Sequence, residues 1–299
     1  MNRYVWLLLA VFLVLGKDVS ADEVRVGFFV GSSEELAAPT SAYTATEFAS
    51  LPSDIDALVY PAYPARGSWF PPSIEMWYFC YSGLTGALIL PCHITLDTPV
   101  ARENSGGHYP GHLPGRPTGN HNPPSGWAES NGYFKSTFHA SEIGGVVESV
   151  IHCETEPTPC VTGKVVFGVA FRGLEDLGPG EGYDLVGDKT PHPSNHWGTP
   201  ELNQALRAIA AAYRQKFPTA PALRFNDISL EYGGVFDVET DKEPGYDWTP
   251  PHKSHRIGKN IDVGFPIGKE HRDYAAYLFL IHNIKIATEG NHWHMSYND

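Results

Sequence analysis

The residues best suited to chemistry lie in two short segments near the C-terminus, PHKSHRIGKNIDVG at 251–264 and NHWHM at 291–295. Side chains on a strand alternate faces, so an extended 292–297 would point His292 and His294 the same way and send Trp293 into a core. Two imidazoles converging from one strand are costly to bury without a metal or a reacting group as partner. The alternative is a pair of surface histidines on an exposed edge. His255 and Asp262 stand seven residues apart with Gly258 between them. A turn at Gly258 followed by a strand can therefore bring an imidazole nitrogen and a carboxylate oxygen together. Adding His294 gives a His₂Asp set suited to Zn²⁺, and three protein ligands leave the fourth tetrahedral position open, as catalytic zinc sites do. A water in that position has its pKa lowered towards about 7.

The run Ser254-His255-x-x-Gly258-x-x-x-Asp262, followed by His292-x-His294, resembles the signature of the LAS zinc metallopeptidases. Within that group the chain is most similar to the penicillin-insensitive murein endopeptidases. The features that carry this are the prelude PHKSHRIGKNIDVGF, the closing His-x-His and an upstream Asp227-Ile-Ser-Leu-x-x-Gly233-Gly234. The likeness covers residues 190–299. It departs from the D-Ala-D-Ala carboxypeptidases of the group, which place a Glu where this chain has Asn291. The resemblance implies His255, Asp262 and His294 as zinc ligands and His292 as the base or charge stabiliser beside the metal. It also implies an accessory role for His252 and a supporting one for Ser254, holding a ligand or the metal loop. The alternative for these last two is a solvated loop. Asp227 is read as orienting the loops of the site, the alternative being a turn residue after Asn226. The implied substrate is the peptide cross-links of bacterial peptidoglycan or another peptide, cleaved through zinc.

Stepping outward, the elements that must hold these residues form an α+β pattern. Thr199 can cap a helix, Pro200 suits its first position and Glu201 its positive end. Leu202, Leu206, Ile209, Tyr213 and Phe217 recur at helical spacing, and Pro218 ends the run. Short strands are predicted at residues 222–225, 228–230, 261–265 and 292–297, with a second helix over 269–283.

The preceding half reads as β. Residues 24–30, 76–82, 87–96, 132–141, 146–152 and 164–171 are short runs rich in β-branched and aromatic residues, separated by Gly, Pro, Asn and Ser. Strands of this number and spacing suggest a β-sandwich. With the stretch 106–149 they resemble an Ig-like domain, which implies binding or spacing. A Gly- and Pro-rich loop is expected at 103–126. Its His108, His112 and His121 could take a second metal, the alternative being a mobile polar loop. Four cysteines, Cys80, Cys92, Cys153 and Cys160, read as two disulfides. Of three possible pairings, the sequence-local Cys80–Cys92 and Cys153–Cys160 is preferred, because the latter closes a Pro-containing loop and the former spans neighbouring strands.

At the N-terminus, Arg3, an apolar run over residues 5–15 and Val19-Ser20-Ala21 read as a secretory signal cut after Ala21. The rival is an uncleaved anchor, but spanning a bilayer takes about 20 apolar residues. No later stretch could span a membrane. The expected location is periplasmic or secreted. A formal net charge of −13 argues against nucleic acid as a partner. The expected architecture is two-domain: signal peptide 1–21, all-β sandwich 22–175, and an α+β LAS-type metallopeptidase domain 176–299 whose first part, 176–199, is linker-like. Two other classes compete, a non-catalytic zinc-containing binding protein and an adhesion module whose β half carries the function.

Overall fold

The computed structural model describes residues 23–30, 54–59, 61, 73–102, 118–156, 158, 160–171, 173–187, 194–235 and 254–298. The signal segment 1–21, the loop residues 103–117 with His108 and His112, and His252 lie outside the described residues.

The chain runs β1 (Val24–Val30), β2 (Ala57–Val59), β3 (Ser73–Ser82), β4 (His93–Leu96), β5 (Val100–Ala101), β6 (Gly119–Asn122), β7 (Ser125–Trp127), β8 (Phe134–Ala140), β9 (Gly145–Glu154), β10 (Cys160–Val161) and β11 (Gly163–Val169). Then come β12 (Glu175–Asp176), β13 (Tyr183–Leu185), β14 (Trp197–Gly198), α1 (Pro200–Lys216), β15 (Leu223–Phe225), β16 (Asn260–Gly264), α2 (Lys269–Ile281), β17 (Ile284–Glu289) and β18 (His292–Tyr297).

The N-terminal unit is all-β. One sheet has the order β10-β1-β3-β8-β6, the other β2-β11-β9-β4-β7 with β5 on β9. Period-two alternation builds the layer between them. On β8, Phe134, Ser136, Phe138 and Ala140 turn inward while the residues between them are partly exposed. Phe138 stacks on Phe167 of the other sheet at a centroid distance of 3.9 Å. Met76, Tyr78, Ile94, Ile151 and Val165 complete the same buried cluster. The disulfides are Cys80–Cys92 and Cys153–Cys160. The first joins β3 of one sheet to the residue just before β4 of the other, so it spans the sheets and not neighbouring strands.

The C-terminal unit carries a sheet in the order β13-β15-β16-β18-β17, parallel only between β13 and β15. Thr199 caps α1, its hydroxyl accepting from the Leu202 N–H at 3.3 Å. Leu202, Leu206, Ile209 and Tyr213 of α1 pack with Ala275, Leu278 and Phe279 of α2 against Ile261, Val263, Trp293 and Met295 of the sheet. The helices therefore cover one sheet face. The alternate residues Asn260 and Asp262 on β16, and His292, His294 and Ser296 on β18, belong to the other.

Several expectations need correction. Only 93–96 of the run 87–96 is a strand, apart from a single bridge at Leu88, and 228–230 is not one. The described end of the 103–126 loop forms β6 and β7, and His121 on β6 is buried in the β core, not free to take a metal. The linker-like stretch is folded in its described parts: β12 pairs with β14, β13 joins the C-terminal sheet, and Leu177 and Tyr183 are core residues. The strand β17 was not foreseen.

Candidate metal centre

Strand pairing assembles the centre. Asp262 and His294 are direct partners in the β16–β18 register, and His292 lies opposite Gly264. Directly opposed side chains on one face sit about 5 Å apart at Cβ, close enough for the donor atoms to meet. His255 arrives from the turn before β16. Gly258 makes that turn with φ +68°, a left-handed conformation that suits glycine. Its carbonyl accepts from the Thr199 N–H at 2.9 Å, which pins the turn to the start of α1.

The donor atoms of His255, Asp262 and His294 all lie within 4.8 Å of one another. Asp262 Oδ1 is 2.9 Å from His294 Nδ1 and 3.4 Å from His255 Nε2. The His255 and His294 rings meet edge to face at 5.0 Å. His255 and Asp262 are buried and His294 is half-buried. Burial works to raise the Asp262 carboxyl, but hydrogen bonds and charge from His255 and His294 outweigh it and hold the group well below the usual carboxylate range. The bond to Asp262 in turn raises the His294 imidazole against an opposing effect of burial.

The remaining ring nitrogens fit a metal. His255 Nδ1–H donates to the Ile228 carbonyl at 3.0 Å, so Nε2, on the Asp262 side, is the ring nitrogen that could serve a metal. His294 Nε2 has Ser254 Oγ at 3.1 Å and Asn260 Nδ2 at 3.3 Å. In the structure Nδ1 bonds Asp262; a metal there would need the hydrogen on Nε2 instead, and the Ser254 hydroxyl, which can accept as well as donate, would take it. Histidine ligands are ordinarily fixed by a hydrogen bond of this kind on the far nitrogen. The donor set of two imidazoles and one carboxylate is one that Zn²⁺ accepts.

His292 stands beside the set, its Nε2 3.7 Å from Asp262 Oδ2. Its Nδ1–H donates to Asn291 Oδ1 at 3.2 Å, and a third of the side chain is exposed. Asp227 is occupied differently. Its carboxylate accepts from Asn195 Nδ2 at 2.7 Å and Asn226 Nδ2 at 3.1 Å, while its carbonyl accepts from the Asp262 N–H at 3.1 Å. It holds the strand that bears the carboxylate ligand. A second group of possible donors, Cys80, Cys153 and Cys160, is tied up in disulfides.

Sequence reasoning missed Asn260, Asn195 and the Ile228 carbonyl. Asn260 was findable, since it lies two residues before Asp262 and so on its face of the strand. Asn195 sits in the stretch without periodicity, where no pattern marks it.

No protein-family model matches the chain, and no curated protein does. Among solved structures, the adhesin InvE of Yersinia pseudotuberculosis is similar at 9% identity and a TM-score of 0.31, over 65% of this chain and 54% of that one. The chain thus spans about half the length of that structure, a likeness too slight to carry an argument.

Proposed function

We propose that the chain is an exported zinc-dependent peptidase of the LAS type, with an Ig-like β unit ahead of it, that hydrolyses amide bonds in peptidoglycan cross-links. The observation that carries the reading is the convergence of three donors within 4.8 Å, two of them imidazoles whose far nitrogens have partners of their own. The substrate rests on the motif resemblance. Export rests on the N-terminal segment and agrees with the two disulfides. No helix among the described residues is long and apolar enough to cross a membrane.

When bound by His255, Asp262 and His294, zinc supplies a Lewis acid and a water acidic enough to serve as a nucleophile near neutral pH. His255 is oriented by Ile228, His294 by Ser254, and Asp262 by the backbone of Asp227. His292, oriented by Asn291, keeps Nε2 towards the set and a face towards solvent, where it can take a proton from the nucleophile or hand one to the leaving amine. Its position favours a hydrolase over a zinc protein without catalysis.

The test is metal content of residues 22–299 by plasma mass spectrometry, beside His255→Ala and Asp262→Ala, followed by amine release from purified peptidoglycan with and without EDTA. About one zinc per chain, lost in both variants, with EDTA-sensitive release, supports the reading. Zinc without hydrolysis of any peptide substrate would leave the non-catalytic alternative. A wild type that takes up no zinc would sink both.

A further inference from the structure

The β unit reaches into the wall of the metal centre. Glu142, in the turn between β8 and β9, contacts two separate segments of the C-terminal unit. Its carbonyl accepts from the Val235 N–H at 2.7 Å, and its carboxylate pairs with the Arg256 guanidinium at 2.5 Å. Each segment holds His255. Arg256 is its chain neighbour, and residues 228–235 supply the Ile228 carbonyl that fixes its Nδ1. The two segments are also joined to each other, Gly234 N–H donating to the Arg256 carbonyl at 2.9 Å.

The contact is too close for side chains to intervene. Ile143 and Gly234 form a β-bridge, and Phe171 N–H donates to the Tyr232 carbonyl at 3.0 Å. A Cβ on Gly144 would lie 2.4 Å from the Gly233 carbonyl oxygen, and one on Gly234 2.5 Å from the Gly144 nitrogen. Tyr232 is buried in a cluster whose other members, Ile55, Leu58, Val146, Val166 and Ala170, all come from the β unit. Arg256 is only 11% exposed at its side chain, so its charge is held largely out of water and leans on Glu142.

We infer that Glu142 is a positioning residue for the metal centre, and that the β unit acts on zinc affinity through it. This rests on the zinc reading given above. A partner that fixes a metal ligand from outside the coordination sphere typically contributes about 10–100-fold to affinity. The route here runs through Arg256 and the chain to His255.

The experiment is zinc affinity of residues 22–299 by competition with a chromogenic chelator. Glu142→Gln, with an unchanged far-UV circular dichroism spectrum, is expected to bind zinc about tenfold more weakly, the low end of the range for partners bonded directly to a ligand, because it acts one residue further out. Arg256→Gln, which cuts the pair from the other side, should match it, and Glu142→Arg combined with Arg256→Glu should recover part of the loss. Glu148→Gln removes a comparable ion pair to Arg102 within the β unit and should leave affinity unchanged. Wild-type affinity in Glu142→Gln, or an equal loss in Glu148→Gln, overturns the coupling while the zinc reading stands. Failure of the wild type to bind zinc refutes both.

Discussion

Acid should destabilise the β unit through His121, by an amount the structure sets. His121 is 6% exposed, among the rings of Tyr78, Phe138 and Phe167 at centroid distances of 6.5, 5.5 and 5.9 Å. Ser149 Oγ lies 3.0 Å from its Nε2 and gives its own proton to the Asp97 carbonyl at 2.8 Å, so His121 is the donor and Nε2 carries the hydrogen. Nδ1 is a bare lone pair with no partner among the described residues. Protonation there would place a charge and an unmet N–H between aromatic rings, and burial lowers the imidazole from 6.5 to about 4. The folded protein then binds fewer protons than the unfolded chain between these values. Stability present above pH 6.5 is therefore lost as pH falls towards 4, by about 2 kcal/mol at pH 5 and about 3 kcal/mol at pH 4.

The assay is urea unfolding of wild type and His121→Gln at pH 7.5, 5 and 4, followed by circular dichroism. The amide keeps a donor for Ser149 and cannot titrate. It should be the less stable protein at pH 7.5, yet lose about 3 kcal/mol less than wild type on going to pH 4. Losses from paired carboxylates elsewhere are common to both proteins and cancel in the comparison. Parallel pH profiles would refute the reasoning, since they would mean that His121 finds an acceptor or reaches water when charged.

Three further outcomes follow from the geometry. His292→Ala should keep its zinc while amine release from peptidoglycan falls by about 10²–10⁴-fold, and equal loss of metal and activity would make His292 a ligand instead. Gly258→Ala should cost about 2 kcal/mol in thermal unfolding and weaken zinc binding, because φ is +68° and a Cβ would sit 2.4 Å from the Leu174 Cδ2 and 3.1 Å from the Gly198 Cα and the Thr199 nitrogen. An unchanged midpoint would show that the turn can relax. Paired Cys80→Ala and Cys92→Ala should lower stability by about 3 kcal/mol, the loop-closure effect for a sequence separation of 12, read from urea unfolding under oxidising conditions.

How much of this could be read from the chain depends on the range of the interactions. The helix α1 was legible because Thr199, Pro200 and the Leu202–Leu206–Ile209–Tyr213 stripe are local signals, and its cap and buried face lie where they indicate. The segment 292–297 was legible for the same reason: period-two alternation puts Trp293 and Met295 in the core and leaves His292 and His294 on the opposite face. Pairing of Asp262 with His294 across 32 residues is not local, yet the donor types and Gly258 were enough to name the set. What failed was structure held by its surroundings. The strands β6 and β7 carry few apolar residues, β13 is only three residues long, and all three owe their order to partners far along the chain, so a reading by propensity makes them loops. The junction at Glu142 is harder still. It is built from Gly144, Gly233 and Gly234, whose value lies in having no side chain, and from backbone groups that every residue possesses. A Gly-Gly pair in a sequence signals a turn or a close approach but not what approaches. Composition therefore suggests a division into two halves, but nothing in it signals that Glu142 and Arg256 join them beside His255.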